Sequence, residues 1–159
     1  MADPVTDYTR KFLVIIDDTP ECDRAVTFAA YRVKRTGGTV VMMSVIDTSE
    51  FAQYMGVSEV MRAEARDEAE RNLDARIARI NSIGAIRIET VIREGDGPAQ
   101  IDALIREDSG IAILALAAGT GAEGPGSLVT HFATRANTLP VLLTIVPGSM
   151  SDEQIIAVC

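Results

Sequence analysis

The sequence alternates short apolar runs with longer segments of helical periodicity, and this alternation limits what the chain can fold into. The apolar runs occupy residues 12–16, 40–46, 86–92, 111–117 and 141–146. They are continuous rather than alternating in polarity, which is typical of parallel strands covered on both faces. Strands that take turns with helices are typical of α/β proteins. We therefore predict a five-stranded, mainly parallel α/β sheet with helices on both faces.

The segments between the runs carry helix signals. Pro20 suits the first turn of a helix, and either Asp18 or Thr19 could cap it. Pro98 is placed for the first turn of a later helix, and Ser127 is a candidate N-cap for another. Apolar residues at four-residue spacing predict a narrow buried stripe on the long charged helix between them: Met61, Ala65, Ala69, Leu73 and Ile77.

The length of 159 residues predicts a single domain, with a core over about residues 11–147 and flexible segments at both ends. Residues 155–158 are nevertheless apolar enough to dock somewhere on the protein. Hydrophobic residues make up 47% of the chain, which supplies a core without disulfides or metals. No apolar run approaches the about 18 residues of a membrane helix, and the polar start lacks a signal-peptide pattern. We expect a cytoplasmic protein with no membrane association.

Charge and cysteine content narrow the class of partner. The chain has 23 acidic and 15 basic residues and a net charge of −8, which repels nucleic-acid phosphates and anionic membranes. Cys22 and Cys159 show neither a disulfide pattern nor the spacing of metal ligands. We therefore predict no nucleic-acid partner, no metal site and a reducing compartment. The acidic surface favours basic partners but identifies none of them.

Ligands of open parallel sheets bind at the carboxyl ends of the strands, so the loops that follow the strands are the places to inspect. Asp17 and Asp18 follow the first strand, where they form either a turn and helix cap or part of a binding site. The segment after the fourth strand has four glycines in eight positions: Gly119, Gly121, Gly124 and Gly126. Such a loop can turn its N–H groups toward an anion at a helix start, or it can simply permit a tight connection. It lacks the Gly-Lys-Ser/Thr of a Walker loop.

One pair of residues invites a catalytic interpretation. Ser127 and His131 lie four positions apart and would share a helical face, as a nucleophile and its base would. No acidic residue is identifiably placed to orient the imidazole, and no Gly-x-Ser-x-Gly elbow surrounds the serine. We expect a half-exposed helical histidine and predict no catalytic residues.

Four local strings, in their order and spacing, resemble the universal stress protein family over residues 11–147. They are residues 14–17 at the end of the first strand, 43–47 at the end of the second, 93–98 before the third helix, and 126–146. The resemblance implies a Rossmann-like fold of the adenine nucleotide alpha hydrolase-like group. It also implies a homodimer that pairs through the last strand, from Val141 to Val146. An apolar edge strand left unpaired would be exposed to association, so this expectation is physically reasonable.

Members of that family that bind ATP carry Gly-x2-Gly-x9-Gly-Ser/Thr after the fourth strand. The first and last glycines of that motif lie 13 positions apart, whereas Gly119 and Gly126 lie 7 apart, so the loop is six residues shorter. Gly121 comes one position too early for the second glycine. The resemblance implies that Gly119, Gly126 and Ser127 face the ribose and phosphates of a nucleotide.

The resemblance also implies that Asp17 meets the adenine or ribose end and that Val45 lies near the adenine. The function it implies is a homodimeric regulator in the stress response that binds an adenine nucleotide, ATP or AMP, weakly or not at all. An ATP-binding enzyme with the same fold, catalysing slow hydrolysis or nucleotidyl transfer, is the alternative. Its protein partners are unknown.

Overall fold

The computed structural model of the protein describes residues 10–48 and 58–159 and contains one five-stranded sheet. The strands are β1 (Lys11–Ile15), β2 (Thr39–Ile46), β3 (Arg87–Glu94), β4 (Ile111–Ala118) and β5 (Leu142–Pro147). They lie in the order β3-β2-β1-β4-β5, and each neighbouring pair is parallel. The predicted parallel α/β sheet is confirmed.

Helices cover both faces of this sheet, as predicted. They are α1 (Cys22–Thr36), α2 (Ser58–Ile83), α3 (Gly97–Glu107), α4 (Ser127–Ala133) and α5 (Asp152–Val158), with a 3-10 turn at Ala136–Thr138. Side chains of α1 and α2 pack on one face against Phe12, Val14 and Met42. Side chains of α3 and α4 pack on the other face against Leu13 and Met43. Neighbouring residues of the central strands therefore serve opposite cores, which explains their continuous apolar sequence.

The long helix α2 buries the stripe that its spacing predicts. Ala69 and Leu73 are buried, and Met61 and Ala65 are half-buried against the apolar cluster at the end of β2. Ile80, outside the predicted stripe, is fully buried against the sheet. None of the helices formed by residues 10–48 and 58–159 is long and apolar enough to cross a membrane.

Two predicted helix caps are wrong, and the reasons are local. Helix α1 begins later than expected, at Cys22, with Glu21 as its N-cap and no side-chain cap bond. Asp17 instead accepts hydrogen bonds from the backbone N–H and the hydroxyl of Thr19. The Thr19 side chain is therefore engaged in a turn that precedes the helix. Gly126 holds the N-cap position of α4, so Ser127 is already inside the helix and makes no cap bond.

The tail after β5 is better ordered than its sequence predicts. Ser151 and Gln154 form a reciprocal capping box at the start of α5. Ile155 is fully buried beside Phe28 and Tyr31 of α1, so the expected flexible C-terminal segment is a docked helix. The expected flexibility of residues 1–9 lies outside the described part of the chain.

Candidate functional site

The crevice of this sheet lies between the carboxyl ends of β1 and β4. The chain leaves β1 toward β2 on one side and leaves β4 toward β5 on the other, so the two loops separate and open a space between them. Two adjoining clefts occupy this space, with volumes of about 220 and 790 Å³. Glu21, Gly126 and Ser127 line both of them and form the seam where they meet.

The smaller cleft is a slot with mainly apolar walls and two acids, Asp17 and the Glu21 of the seam. Ile15 of β1 and Leu116 of β4 form its floor, and Leu128 of α4 lies at its side. Asp17 lines the same cleft while its Oδ1 atom accepts the Thr19 N–H at 2.9 Å. A flat apolar ring fits such a slot, and a hydroxyl donor could reach the carboxylate.

Cys22 also lines the smaller cleft, at the start of α1. Burial raises the pKa of its thiol to about 11, although a backbone hydrogen bond opposes the shift. The thiol is therefore protonated at neutral pH. Since the thiolate is the nucleophilic form, Cys22 behaves as a packed side chain of the wall.

The larger cleft is bordered by the glycine-rich loop between β4 and α4. This loop closes on itself, because the N–H of Gly119 donates to the carbonyl of Pro125 at 2.9 Å. The N–H of Gly124 likewise donates to the carbonyl of Gly121 at 3.2 Å. Gly126 has a φ of +110°, a conformation that side chains disfavour. Two of the loop's amides are thus already committed within the loop and are not available to an anion.

Helix α4 forms the far wall of the larger cleft. Ser127 and His131 both line it, as their spacing predicts, but no hydrogen bond joins the two side chains in this described segment. The imidazole packs edge-on against Phe132, with ring centroids 4.9 Å apart. The guanidinium of Arg135 donates back to the carbonyl of His131 at 3.2 Å and to the hydroxyl of Thr134 at 3.4 Å.

Five of the six residues predicted for the site border the crevice. Asp17 lines the smaller cleft, Gly119 and Gly121 line the larger one, and Gly126 and Ser127 line both. Val45 is the exception. It lies on β2 and packs with Ile15 against the apolar cluster under α3 and α4, so it lines neither cleft.

Sequence reasoning missed Glu21. Its half-buried side chain lies across the ends of β4 and β5, where a methyl group on Gly119 would sit 3.3 Å from Glu21 Oε1. A methyl group on Gly148 would sit 3.2 Å from Glu21 Cβ. The only signal in the sequence is an acidic residue after Pro20, which is also typical of an ordinary first helical turn.

The sheet order and the crevice at its topological switch point define a class, the doubly wound parallel α/β proteins that bind ligands between strand ends. The family model described as Universal stress protein family matches residues 9–144. The chain therefore belongs to the universal stress protein family. No curated protein sequence matches it.

Solved structures agree with this fold. Universal stress protein UspA from Lactobacillus plantarum has 19% identity and a TM-score of 0.72, over 87% of this chain and 97% of that one. A universal stress protein family protein from Arabidopsis thaliana with AMP bound has 17% identity and a TM-score of 0.61, over 91% and 94%. A universal stress protein in complex with cAMP has 17% identity and a TM-score of 0.55, over 88% and 98%.

Proposed function

We propose that this universal stress protein is a homodimeric regulator of the stress response that acts by binding rather than by turnover, and that its crevice holds an adenine nucleoside or nucleotide weakly. The observation that carries the proposal is the slot between β1 and β4 beside a short, self-bonded glycine loop. Similar folds with AMP and with cAMP bound support the ligand class. Two buried free cysteines fit a reducing compartment such as the cytoplasm.

The two clefts suggest how such a ligand would divide between them. The adenine ring would enter the smaller, apolar cleft, with Asp17 toward the base or ribose. The ribose and any phosphate would point past Gly126 and Ser127 into the larger cleft. The amides of Gly119 and Gly124 already donate within the loop and Pro125 has no N–H, so these three positions offer no donor to phosphate oxygens, which favours weak binding.

The surroundings of Cys22 and His131 favour regulation by binding over catalysis. Cys22 carries a protonated thiol, and the imidazole of His131 packs against Phe132 in the described structure rather than facing a carboxylate. A nucleophile needs an adjacent base that is itself oriented by a third group. Incubation with ATP should therefore release no more phosphate than heat-inactivated protein does. Release that scales with protein concentration would favour the enzymatic alternative.

The ligand site is tested by titration calorimetry with AMP. We expect weak binding by the unmodified protein and at least about fivefold weaker binding by Asp17→Ala, since a hydrogen bond to a charged group is lost. Asp17→Asn is the matched control, because its Oδ1 atom can still accept the Thr19 N–H and hold the turn. Equal AMP affinity in Asp17→Ala and the unmodified protein would remove Asp17 from the site.

The homodimer is supported by the free edge of β5. The N–H of Gly148 donates to the carbonyl of Ala118, so alternation along the strand turns the backbone groups of Leu143 and Ile145 outward. Pro147 also faces outward but has no N–H to offer. An antiparallel pair centred on Thr144 would place Leu143 opposite Ile145 of the second copy and use both outward donors. Sedimentation equilibrium should give twice the mass of the chain, and a single-chain mass at micromolar concentration would contradict the dimer.

A further inference from the structure

Glu21 has an unusual position for an acidic side chain in a nucleotide-type crevice. It lines both clefts at their seam and lies over two glycines, Gly119 and Gly148, that leave room for it. A side chain at Gly148 would also meet the carbonyl of Ala118 at 2.4 Å, so this residue must remain small. In this structure the carboxylate therefore lies over the ends of β4 and β5, beside the two glycines.

The charges around this carboxylate do not compensate for it. Asp17 lines the smaller cleft and Glu123 lines the larger one, so the crevice carries two further acids. Arg135 is the one arginine or lysine among the described lining residues, and its guanidinium donates to its own helix. No described residue forms an ion pair with Glu21. A ligand's phosphates would therefore meet negative charge at the seam.

The glycine loop offers a reduced set of donors to offset this charge. Anion-binding loops work by directing several free N–H groups at the phosphate. Here the amides of Gly119 and Gly124 donate to Pro125 and Gly121, and Pro125 has no N–H of its own. The net charge of −8 over the whole chain repels a polyphosphate further.

We propose that Glu21 is a specificity-determining residue that rejects polyphosphates and selects adenosine or another uncharged nucleoside. The proposal rests on the adenine site proposed above and names its ligand class. One phosphate charge about 6 Å from the carboxylate would weaken binding roughly tenfold at an effective dielectric constant near 40, and phosphates farther along the chain would add less because solvent screens them. The expected order of affinity is adenosine first, then AMP, then ATP.

Titration calorimetry with adenosine, AMP and ATP, each with and without Mg²⁺, tests the proposal on four proteins. They are the unmodified chain, Glu21→Gln, Glu21→Asp and Glu64→Gln. Glu64 lies exposed on α2, so its substitution changes the net charge equally but away from the crevice. We expect Glu21→Gln to bind ATP about tenfold more tightly, or to acquire ATP binding, while adenosine affinity changes less than twofold. Glu21→Asp and Glu64→Gln should keep the order of the unmodified protein.

Several results would overturn the proposal. One is an ATP-to-adenosine affinity ratio that Glu21→Gln leaves unchanged while adenosine binding is intact, which would remove the role of Glu21 and leave the adenine site standing. Another is ATP binding that needs Mg²⁺ and disappears in Glu21→Gln, which would make the carboxylate a cation ligand. Absence of binding in all four proteins would overturn the adenine site and this inference together. Thermal melts of the four proteins verify that each is folded.

Discussion

The two edges of the sheet differ in chemistry, although both end the same sheet. On β3, charged residues recur along the strand and are tied to their surroundings: the carboxylate of Glu89 pairs with Lys11 at 3.0 Å, and that of Glu94 pairs with Arg62 at 3.3 Å. The strand β5 has no charged residue, and its Leu142 and Ile145 are 69% and 39% exposed. Charge protects one edge from association, and its absence leaves the other able to pair.

The edges also differ in how they are supported. The buried face of β5 packs through Val146 onto Ile155 of α5, which in turn packs on α1. Asp152 at the start of α5 pairs with Arg24 at 2.9 Å and with Arg79 at 3.3 Å, joining this helix to α1 and α2. The apolar edge is therefore held firmly from behind, as a strand must be if it pairs with a second copy.

The largest effect on the difference between the two edges should come from placing a charge on the apolar edge strand β5. We expect Ile145→Lys to weaken the proposed homodimer by roughly a hundredfold or more, since it would put a charge opposite the apolar side chain of Leu143 in the paired strands. Sedimentation equilibrium measures the change. Thr90→Lys, at an exposed position of β3, is the matched control and should leave the mass unchanged. A dimer that survives Ile145→Lys would move the interface elsewhere.

Removing the support behind β5 should have the next largest effect. Ile155→Ala leaves a cavity at a fully buried site and should lower the free energy of unfolding by roughly 2–4 kcal/mol. Urea denaturation gives this value. Hydrogen exchange should then quicken in β5 and α5 before it quickens in β3. Equal acceleration at both edges would show that α5 supports the whole fold rather than one strand.

A smaller effect is expected where charge ties β3 to the sheet. Lys11 of β1 donates to Glu89 at 3.0 Å and to Asp108 at 2.9 Å, so Lys11→Met should cost about 1 kcal/mol of stability. The hydrogen bond from Lys11 lowers the pKa of Asp108 below its ordinary 3.8. The same bond, with that to Glu89, raises the pKa of Lys11 above its ordinary 10.5.

The sign of each pKa shift determines the pH range in which the stability contributed by the Lys11 ion pairs is lost. The Asp108 part is present above pH 3.8 and disappears as the pH falls through its lower folded-state pKa. The Lys11 part is present below pH 10.5 and disappears as the pH rises through its higher folded-state pKa. Denaturation from about pH 2 to about pH 11.5 should therefore bring Lys11→Met and the unmodified protein together at both extremes. If the difference in free energy of unfolding between the two proteins stayed constant across that pH range, the effect of Lys11→Met would come from lost packing rather than from lost ion pairs.

The smallest effect should come from making β3 slightly more apolar. Thr90→Ile should change stability by less than about 0.5 kcal/mol and leave the mass in solution unchanged, because neighbouring charges still protect the edge. Light scattering checks for new association. Higher oligomers in this variant would show that the charges of β3 are a weaker barrier than we infer.

Most of the fold could be predicted from the sequence because each strand and helix carries its own pattern. The five apolar runs correspond to the five strands within a residue or two, and Pro98 lies in the first turn of α3, capped by Asp96. The predictions of helix N-caps were wrong where several neighbouring residues could each occupy the cap position. Thr19, one of the two residues expected to cap α1, instead donates its backbone N–H to Asp17. Gly126 occupies the cap position that was expected for Ser127.

The candidate site was predictable only in part. Strand ends of a parallel sheet share one rim, so the order of strands and loops along the chain was enough to assign Asp17 and the glycine loop to the crevice. The sequence could not exclude Val45 from the site. A residue near a strand end can face either the crevice or the core, and which of the two it faces depends on the pleat of the strand and on the helix packed against it.

The contrast between a charged and an apolar edge was decided by the strand order, since only the tertiary structure places β3 and β5 at the two edges. Polarity and periodicity along the chain dictated the strands themselves and the helical layers on both faces, because each follows from a local pattern. The charge of the crevice could not be obtained that way. Glu21 lies at the seam because Gly119 and Gly148, distant in sequence, leave space beside it once β4 and β5 pair. The closure of the loop from Gly119 to Pro125 has the same origin, since hydrogen bonding within it decides which amides a ligand could still use.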